Sequence, residues 1–403
     1  MVPNHSIGYL NSKNKNECYG CEACVQICHK DAISMKEDSE GFRYPHIDTN
    51  KCISCGKCNM VCPYEHPPIS SEPRIAFGGY HKNPAIQQSS TSGGAFSAIV
   101  DGWCDKNYVI FGAAAKGLIV SHKYITDKSQ INSFRKSKYS QSSIGNSYAK
   151  VKTFLKEGKK VLFSGTPCQI AGLKSFLGNT DQELLLTVEV ICEGVPSPHF
   201  MRKYDSYMQK KYGSKIKKLD YRNKDKRKWD FQVMSTLLQN GRYLRKDRWF
   251  NPFWSIWLAH LMSRPCCYEC SFATLPRVAD ITLGDLWGVH LYCPELYGKN
   301  GGASLVLCNT KKGKSAMAAA RQYLSGHKLD LATACKYQSP LRKSIDKNPQ
   351  RKDFMDDLLI LPYEELCRKW AKKPTFQLLW SKYIWGNRQK VFVWNILHSK
   401  VKK

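Results

Sequence analysis

Cys18, Cys21, Cys24 and Cys28 stand at C-x2-C-x2-C-x3-C spacing, and Cys52, Cys55, Cys58 and Cys62 repeat the run just before Pro63. Two-residue spacers let successive thiolates curl around one face of a cuboidal cluster, while the fourth cysteine of each run reaches across to the other cluster. The spacing predicts one 4Fe-4S cluster on Cys18, Cys21, Cys24 and Cys62, and a second on Cys28, Cys52, Cys55 and Cys58. Gly20 and Gly56 fall inside the loops, where backbone must pass close to sulfur and donate N–H bonds. Zinc ribbons also use C-x2-C pairs, but they gather two pairs on one ion, whereas here two runs of four cysteines occur in tandem.

These residues resemble the bacterial two-cluster ferredoxins. One departure is His29, standing where the first run would carry Pro; that Pro shapes the chain exit and is not a ligand. Three prolines and two serines between Glu65 and Pro73 read as an extended connection. The expected organisation is a ferredoxin domain over 1–66, a linker over 67–74, a mixed-sheet α/β domain over 75–340 and a basic aromatic region over 341–403.

The chain has 403 residues and 18 cysteines, and Met1–Leu10 lacks the apolar core of a signal peptide. No stretch approaches the roughly 20 apolar residues that span a bilayer. A reducing cytoplasm is therefore expected, with thiolates holding metal rather than disulfides. Lys and Arg number 62 against 33 acidic residues, a formal charge of +29. Such an excess attracts anions, including an acidic redox carrier. The bases are dispersed and no nucleic-acid motif accompanies them, so no nucleic-acid partner is expected. The dense run Arg202–Lys228 reads as solvated surface.

In the larger part, Val151–Leu155 has helical spacing and stops at Gly158, Lys160–Ser164 reads as a buried strand, Pro167–Leu177 as a helix and Leu184–Ile191 as a second strand. Strand, helix, strand is a right-handed parallel unit. Phe231–Leu238 and Arg242–Arg245 flank Asn240-Gly241, a hairpin signal that makes the sheet mixed. Cys168 and Cys192 lie just past the two parallel strands, on one edge of the sheet. With the pair Cys267 and Cys270 they make four thiolates, enough for a third 4Fe-4S cluster; Cys266 is an alternative to Cys267. Cys104, Cys293, Cys308, Cys335 and Cys367 stand alone and read as small buried residues.

The strings SGTPCQIAGL, CEGVPSP, CYECSFA…ADITLGDLWG, SSTSGGAFSA and SKYSQSSIG, spread between about Ile75 and Lys312, resemble the coenzyme F-420 hydrogenase/dehydrogenase beta-subunit family. The resemblance supports Cys168, Cys192, Cys267 and Cys270 as cluster ligands and implies FAD beside them. Ser92, Gly93 and Gly94 precede an apolar helix (Phe96–Trp103) and suit a pyrophosphate, with Lys138 and Tyr139 adding charge and stacking; a plain N-capped helix is the competing reading. Asp285, expected after a strand at Ala279–Leu283, is the candidate proton-handling group, against a turn-stabilising role. No G-x-G-x-x-G and no P-loop motif occurs.

The expected function is an FAD- and iron–sulfur-dependent oxidoreductase passing electrons from an acidic ferredoxin-type carrier to a small-molecule acceptor, with coenzyme F-420 among the acceptors the resemblance allows. The alternative is a non-catalytic electron-transfer protein within a larger hydrogenase or dehydrogenase, partnered by its catalytic oxidoreductase component. Phe376, Trp380 and Ile384 share a helical face in the C-terminal region, which fits either self-packing or peripheral contact with the inner face of a membrane.

Overall fold

The computed structural model describes residues 8–225, 229–297 and 301–398. Strands β1 (Ile33–Glu37) and β2 (Arg43–Ile47) pair antiparallel and carry the two cysteine runs on either side of them. The large domain is built on an eight-stranded sheet of order β13-β3-β12-β11-β7-β6-β4-β5. Its strands are β3 (Ile75–His81), β4 (Tyr108–Lys116), β5 (Ile119–Ile125), β6 (Lys160–Gly165), β7 (Leu185–Val190), β11 (Ile281–Asp285), β12 (Ser304–Cys308) and β13 (Leu324–Leu329). The central strands β4, β6, β7 and β11 run parallel, and the outer ones pair antiparallel.

The central strands are covered on both faces, which is why their sequences are continuous apolar runs. Val161 and Phe163 of β6 pack with the helices Ser147–Lys156 and Pro167–Leu177, while Leu162 between them faces the helices Ala95–Trp103 and Lys311–Ala320. The helix Pro167–Leu177 has the bounds its sequence predicts. Pro167 occupies its first turn, and Thr166 forms a capping box with Gln169.

The N-terminal domain lies against the first of these faces, so Tyr19, Cys21, Ala23 and Val61 belong to the same core as Phe163 and Leu173. Gly172 makes this approach possible: a Cβ there would stand 2.9 Å from Cys21 Cβ and 3.0 Å from its sulfur. The string Ser137–Gly145 runs over the junction. Gln141 Nε2 donates to the Tyr19 carbonyl at 2.8 Å, and Glu22 accepts the N–H groups of Ile144 and Gly145 at 3.2 and 3.0 Å. Ser71 and Arg277 are stitched by two backbone bonds, so the predicted linker lies along the large domain there.

Two expectations need correction. The Asn240-Gly241 hairpin forms, as β9 (Val233–Leu238) and β10 (Tyr243–Lys246), but it joins β8 (Ile216–Asn223) in a separate three-stranded sheet. A turn is a local property, whereas sheet membership is set by distant partners. The main sheet is mixed because of its own outer strands. The strand expected at Ala279–Leu283 is β11, shifted two residues on, because Gly284 and Asp285 still pair with Leu305 and Ser304. Among the described residues, no helix is long and apolar enough to cross a membrane.

Candidate redox site

Cys18, Cys21, Cys24 and Cys62 converge on one another closely enough for each to feel its neighbours' charge. Together they line one pocket, with Gly20, Ala23 and Pro63 among its other walls. Backbone N–H groups of Gly20, Ala23 and Val25 point at the sulfurs of Cys18, Cys21 and Cys24. Gly20 reaches this geometry with φ +66°, a left-handed conformation, and a Cβ there would also strike Gln141 Nε2 at 2.6 Å. Burial pushes the Cys18 thiol up to about 11 despite the opposing Arg264 guanidinium. Gathering four such groups calls for a multivalent cationic centre that replaces their protons, which is what an iron–sulfur cluster provides.

Cys52, Cys55 and Cys58 form the outer group: Cys58 senses Cys52 and Cys55, and Cys55 is exposed. Cys28 caps the helix Ala23–Ile27, and its sulfur accepts the Ala32 N–H at 3.3 Å.

On the large domain, β6 and β7 deliver Cys168 and Cys192 to the same sheet edge, and the turn Pro265–Glu269 brings Cys266, Cys267 and Cys270 to them. The Cys168 sulfur lies 3.2 Å from Thr166 Oγ1, and these five thiols interact mutually. Burial raises Cys192 to about 11 and Cys270 to about 12. Cys266 and Cys267 share one hydrogen bond. Burial raises Cys266, but that bond and the neighbouring Arg264 outweigh it and hold the group below the usual thiol range. Both cysteines thus stand at the site, with Cys266 directed towards Arg264 and Cys18, and Cys267 towards Cys192 and Cys270.

Arg264, only 1% exposed, sits between the two halves. Its Nε donates to the Cys18 carbonyl at 2.9 Å, Nη1 to Gln141 Oε1 at 3.0 Å and Nη2 to the Arg43 carbonyl at 3.1 Å. Its guanidinium lies 4.3 Å from the Tyr44 ring centre. Tyr19 spans the same junction: its hydroxyl is 2.7 Å from Ser271 Oγ and its ring 5.1 Å from Phe272. Nothing in the spacing of Arg264 marked it; only its position two residues before Cys266 is visible in the sequence.

Beyond the third thiol group lies a charged cleft. Asp285 ends β11 with Oδ2 2.9 Å from Arg222 Nη1, while its Oδ1 is buried without a hydrogen-bond partner. Arg222 is 3% exposed, yet its Nε and Nη2 also lack partners. Tyr139 places its hydroxyl 3.4 Å from Arg222 Nη1 and packs its ring on Tyr221, Trp254 and Trp257. Glu193, next to Cys192, opens to solvent but is crowded by protein, and this crowding raises its carboxyl despite Arg248 and Arg222. Arg248 is pulled down by burial and then by Arg222. Two guanidiniums facing one space make it attractive to an anion.

The other residues expected at a flavin have partners of their own. Ser92 Oγ donates to the Ala303 carbonyl at 2.6 Å. Gly93 is pressed against β3 and β12, where a Cβ would meet the Gly79 carbonyl at 2.4 Å. Gly94 turns into the helix Ala95–Trp103 with φ +91°. Lys138 donates to the carbonyls of Ser133 and Arg135, and burial lowers it to about 8. The loop is gripped by Lys224, whose ammonium meets the carbonyls of Gln87, Ser92 and Gly301 at 3.0, 2.8 and 2.5 Å; burial pulls this amine down to about 7. Arg222 and Lys224 belong to the basic run read from sequence as solvated surface, and here that reading is corrected: both are buried.

Comparison with known proteins agrees with this site. Residues 158–330 match the family described as the C terminus of the beta subunit of coenzyme F420 hydrogenase/dehydrogenase, and residues 17–66 match a 4Fe-4S dicluster domain. The chain is 44% identical over 46 residues to the B subunit of the Na(+)-translocating ferredoxin:NAD(+) oxidoreductase complex of Acetobacterium woodii, covering 11% of this chain and 13% of that protein. It is 34% identical over 58 residues to the probable iron-sulfur A subunit of the Frd operon of Proteus vulgaris, covering 14% of this chain and 34% of that protein. The chain thus spans at most about a third of the length of these relatives. A structure of the F420-reducing NiFe hydrogenase complex from Methanosarcina barkeri aligns with 75% of this chain and 94% of its own, at 16% identity and a TM-score of 0.45. The chain carries a 4Fe-4S dicluster domain and belongs, through residues 158–330, to the coenzyme F420 hydrogenase/dehydrogenase beta-subunit family.

Proposed function

We propose that the protein is an iron–sulfur flavoprotein oxidoreductase that takes electrons from an acidic ferredoxin-type donor and delivers them to a small anionic acceptor in the Arg222–Asp285 cleft. The observation that carries this reading is the contiguity of thiol groups and cleft. Cys18 and Cys266 are joined through Arg264, and Cys192 leads directly to Glu193, which faces Arg222 and Arg248. Bound clusters supply one-electron transfer, and FAD supplies the exchange between one- and two-electron chemistry.

The chain's own residues have distinct tasks. The thiols Cys18, Cys21, Cys24 and Cys62, with Cys28, Cys52, Cys55 and Cys58, hold the first two clusters, and Cys168, Cys192, Cys267 and Cys270 the third. Cys55, Ile53 and Met60 are exposed around the outer group, where an external carrier would dock, drawn by the net charge of +29. Ser92, Gly93, Gly94, Lys138 and Tyr139 form the wall against which FAD would lie, with the unpartnered donors of Arg222 directed to its anionic part. Asp285 orients Arg222, and Glu193, raised by burial, is the better-placed group to hold or release a proton.

The test is anaerobic purification with iron, sulfide and flavin analysis, then anaerobic addition of reduced ferredoxin. About twelve iron atoms and one FAD per chain, with bleaching of both chromophores, are expected. A colourless or flavin-free sample, loaded under the same conditions, would remove the flavoprotein reading.

A second reading makes the chain the electron-transfer component of a larger complex in place of an independent enzyme. It is supported by the C-terminal region, where Tyr383 bonds Asp247 at 2.7 Å on one face while Phe376, Trp380, Ile384 and Trp385 remain exposed on the other. Turnover only with a co-purifying catalytic partner would favour it; flotation with anionic vesicles would instead assign that face to a membrane surface.

A further inference from the structure

Cys293 follows the helical turn Val289–Tyr292, Glu295 lies in the next turn, Pro294–Tyr297, and His327 belongs to β13 at the far edge of the sheet. Their side chains meet. The Cys293 sulfur is 3.3 Å from His327 Nε2 and 3.4 Å from Glu295 Oε1, and Nε2 is 3.4 Å from Oε1. A tetrahedral zinc ion with a thiolate at about 2.3 Å and imidazole and carboxylate at about 2.0 Å separates these ligand atoms by roughly 3.3–3.6 Å. The three atoms therefore already stand at the corners of one face of such a tetrahedron.

We propose that Cys293, Glu295 and His327 form a mononuclear zinc site with water as its fourth ligand. The donor set of one sulfur, one nitrogen and one oxygen suits zinc and is foreign to magnesium and calcium, which take oxygen. It is too small for a 4Fe-4S cluster, which needs four cysteine ligands. The site also has its own surroundings: Cys293 packs with Val289, Leu296 and Ala303, in a different core from Cys168, Cys267 and Cys270. Burial covers the thiol, while His327 and Glu295 are about half exposed and leave an approach for the ion and its water. On binding, the Cys293 S–H bond breaks, the proton passes to solvent and the S–Zn bond forms, with no change of oxidation state. The ion would tie to β13 the segment that leaves Asp285, so that the floor of the charged cleft and the sheet edge become one unit.

The test uses the full-length chain with its clusters loaded, exposed to Zn2+ alone, desalted and analysed for zinc and iron, with zinc K-edge absorption to count ligands. The expected result is about one zinc per chain with a shell of one sulfur and three nitrogen or oxygen atoms. Cys293→Ala and His327→Ala should each lose that zinc and keep all their iron. The half-exposed His327 makes its variant the safer of the two for folding. No retained zinc, a four-sulfur shell (zinc in cluster cysteines), or zinc undiminished in both variants would each overturn the proposal.

Discussion

The Arg264 Nε–H donates to the Cys18 carbonyl at 2.9 Å, so a single buried cation joins the first cysteine loop to the turn that carries Cys266 and Cys267. Burying a guanidinium costs several kcal/mol unless acceptors and negative charge compensate it, and here three acceptors and the neighbouring sulfurs do so. A positive charge beside a cluster favours the reduced state. Arg264→Met should therefore move the midpoint potentials of the adjacent clusters negative, on the order of tens of millivolts, and Arg264→Lys by less. An EPR-monitored redox titration reads this directly. Unchanged midpoints in an iron-replete Met variant would exclude the electrostatic role.

Gly172 faces the opposite demand. Alanine is the better helix former by about 1 kcal/mol, so an exposed glycine in the helix Pro167–Leu177 would gain from the change. Here the added methyl would stand 2.9–3.0 Å from Cys21 and from the Tyr148 hydroxyl. Gly172→Ala should destabilise the junction by about 1–3 kcal/mol. It should also lower iron by about four atoms per chain, since it displaces a ligand of one cluster. Denaturant unfolding and iron analysis check the two halves of the expectation.

Cys192→Ser should remove about four of about twelve iron atoms while leaving the EPR signals of the N-terminal pair. Parallel Cys266→Ser and Cys267→Ser variants separate the two neighbours. The ligand loses iron when replaced. Serine at the other position keeps iron and alters the potential only.

His122 gives a pH dependence with a defined sign. Burial lowers its imidazole to about 4, with Nε2 on the Ser164 carbonyl and Nδ1 on Ser142 Oγ, both at 2.9 Å. The unfolded chain binds this proton near pH 6.5 and the folded chain does not, so stability falls as pH drops from about 6.5 towards 4. Between pH 6.5 and 5 the loss from this group approaches about 2 kcal/mol. His122→Gln should flatten the slope of urea-unfolding free energy over that range. An identical slope would mean the ring titrates normally.

What was legible in the sequence was local. The cysteine runs could be assigned because cluster ligands recur at short spacing, and the helix Pro167–Leu177 because its cap and its proline are contiguous. Arg222 and Lys224 were not legible. Their burial depends on Asp285 and on the carbonyls of Gln87, Ser92 and Gly301, which the chain supplies from far away. Cys293 was hidden for the same reason, since its neighbour His327 lies on a different strand. A run of bases and a solitary cysteine look alike whether they face water or a partner brought in by the fold.

Glu22 lies between two cluster cysteines, yet its carboxylate is turned outward from the thiols, to Arg43 at 2.8 Å and to the Ile144 and Gly145 amides. Part of the cysteine loop is thus written for the neighbouring domain. Cut free as a separate ferredoxin, residues 1–66 would present an acid with no counterpart beyond Arg43 and a bare apolar patch at Tyr19 and Val61. Electrochemistry on such a fragment would describe a different molecule, and a ferredoxin transplanted from another protein would meet a docking face it cannot read.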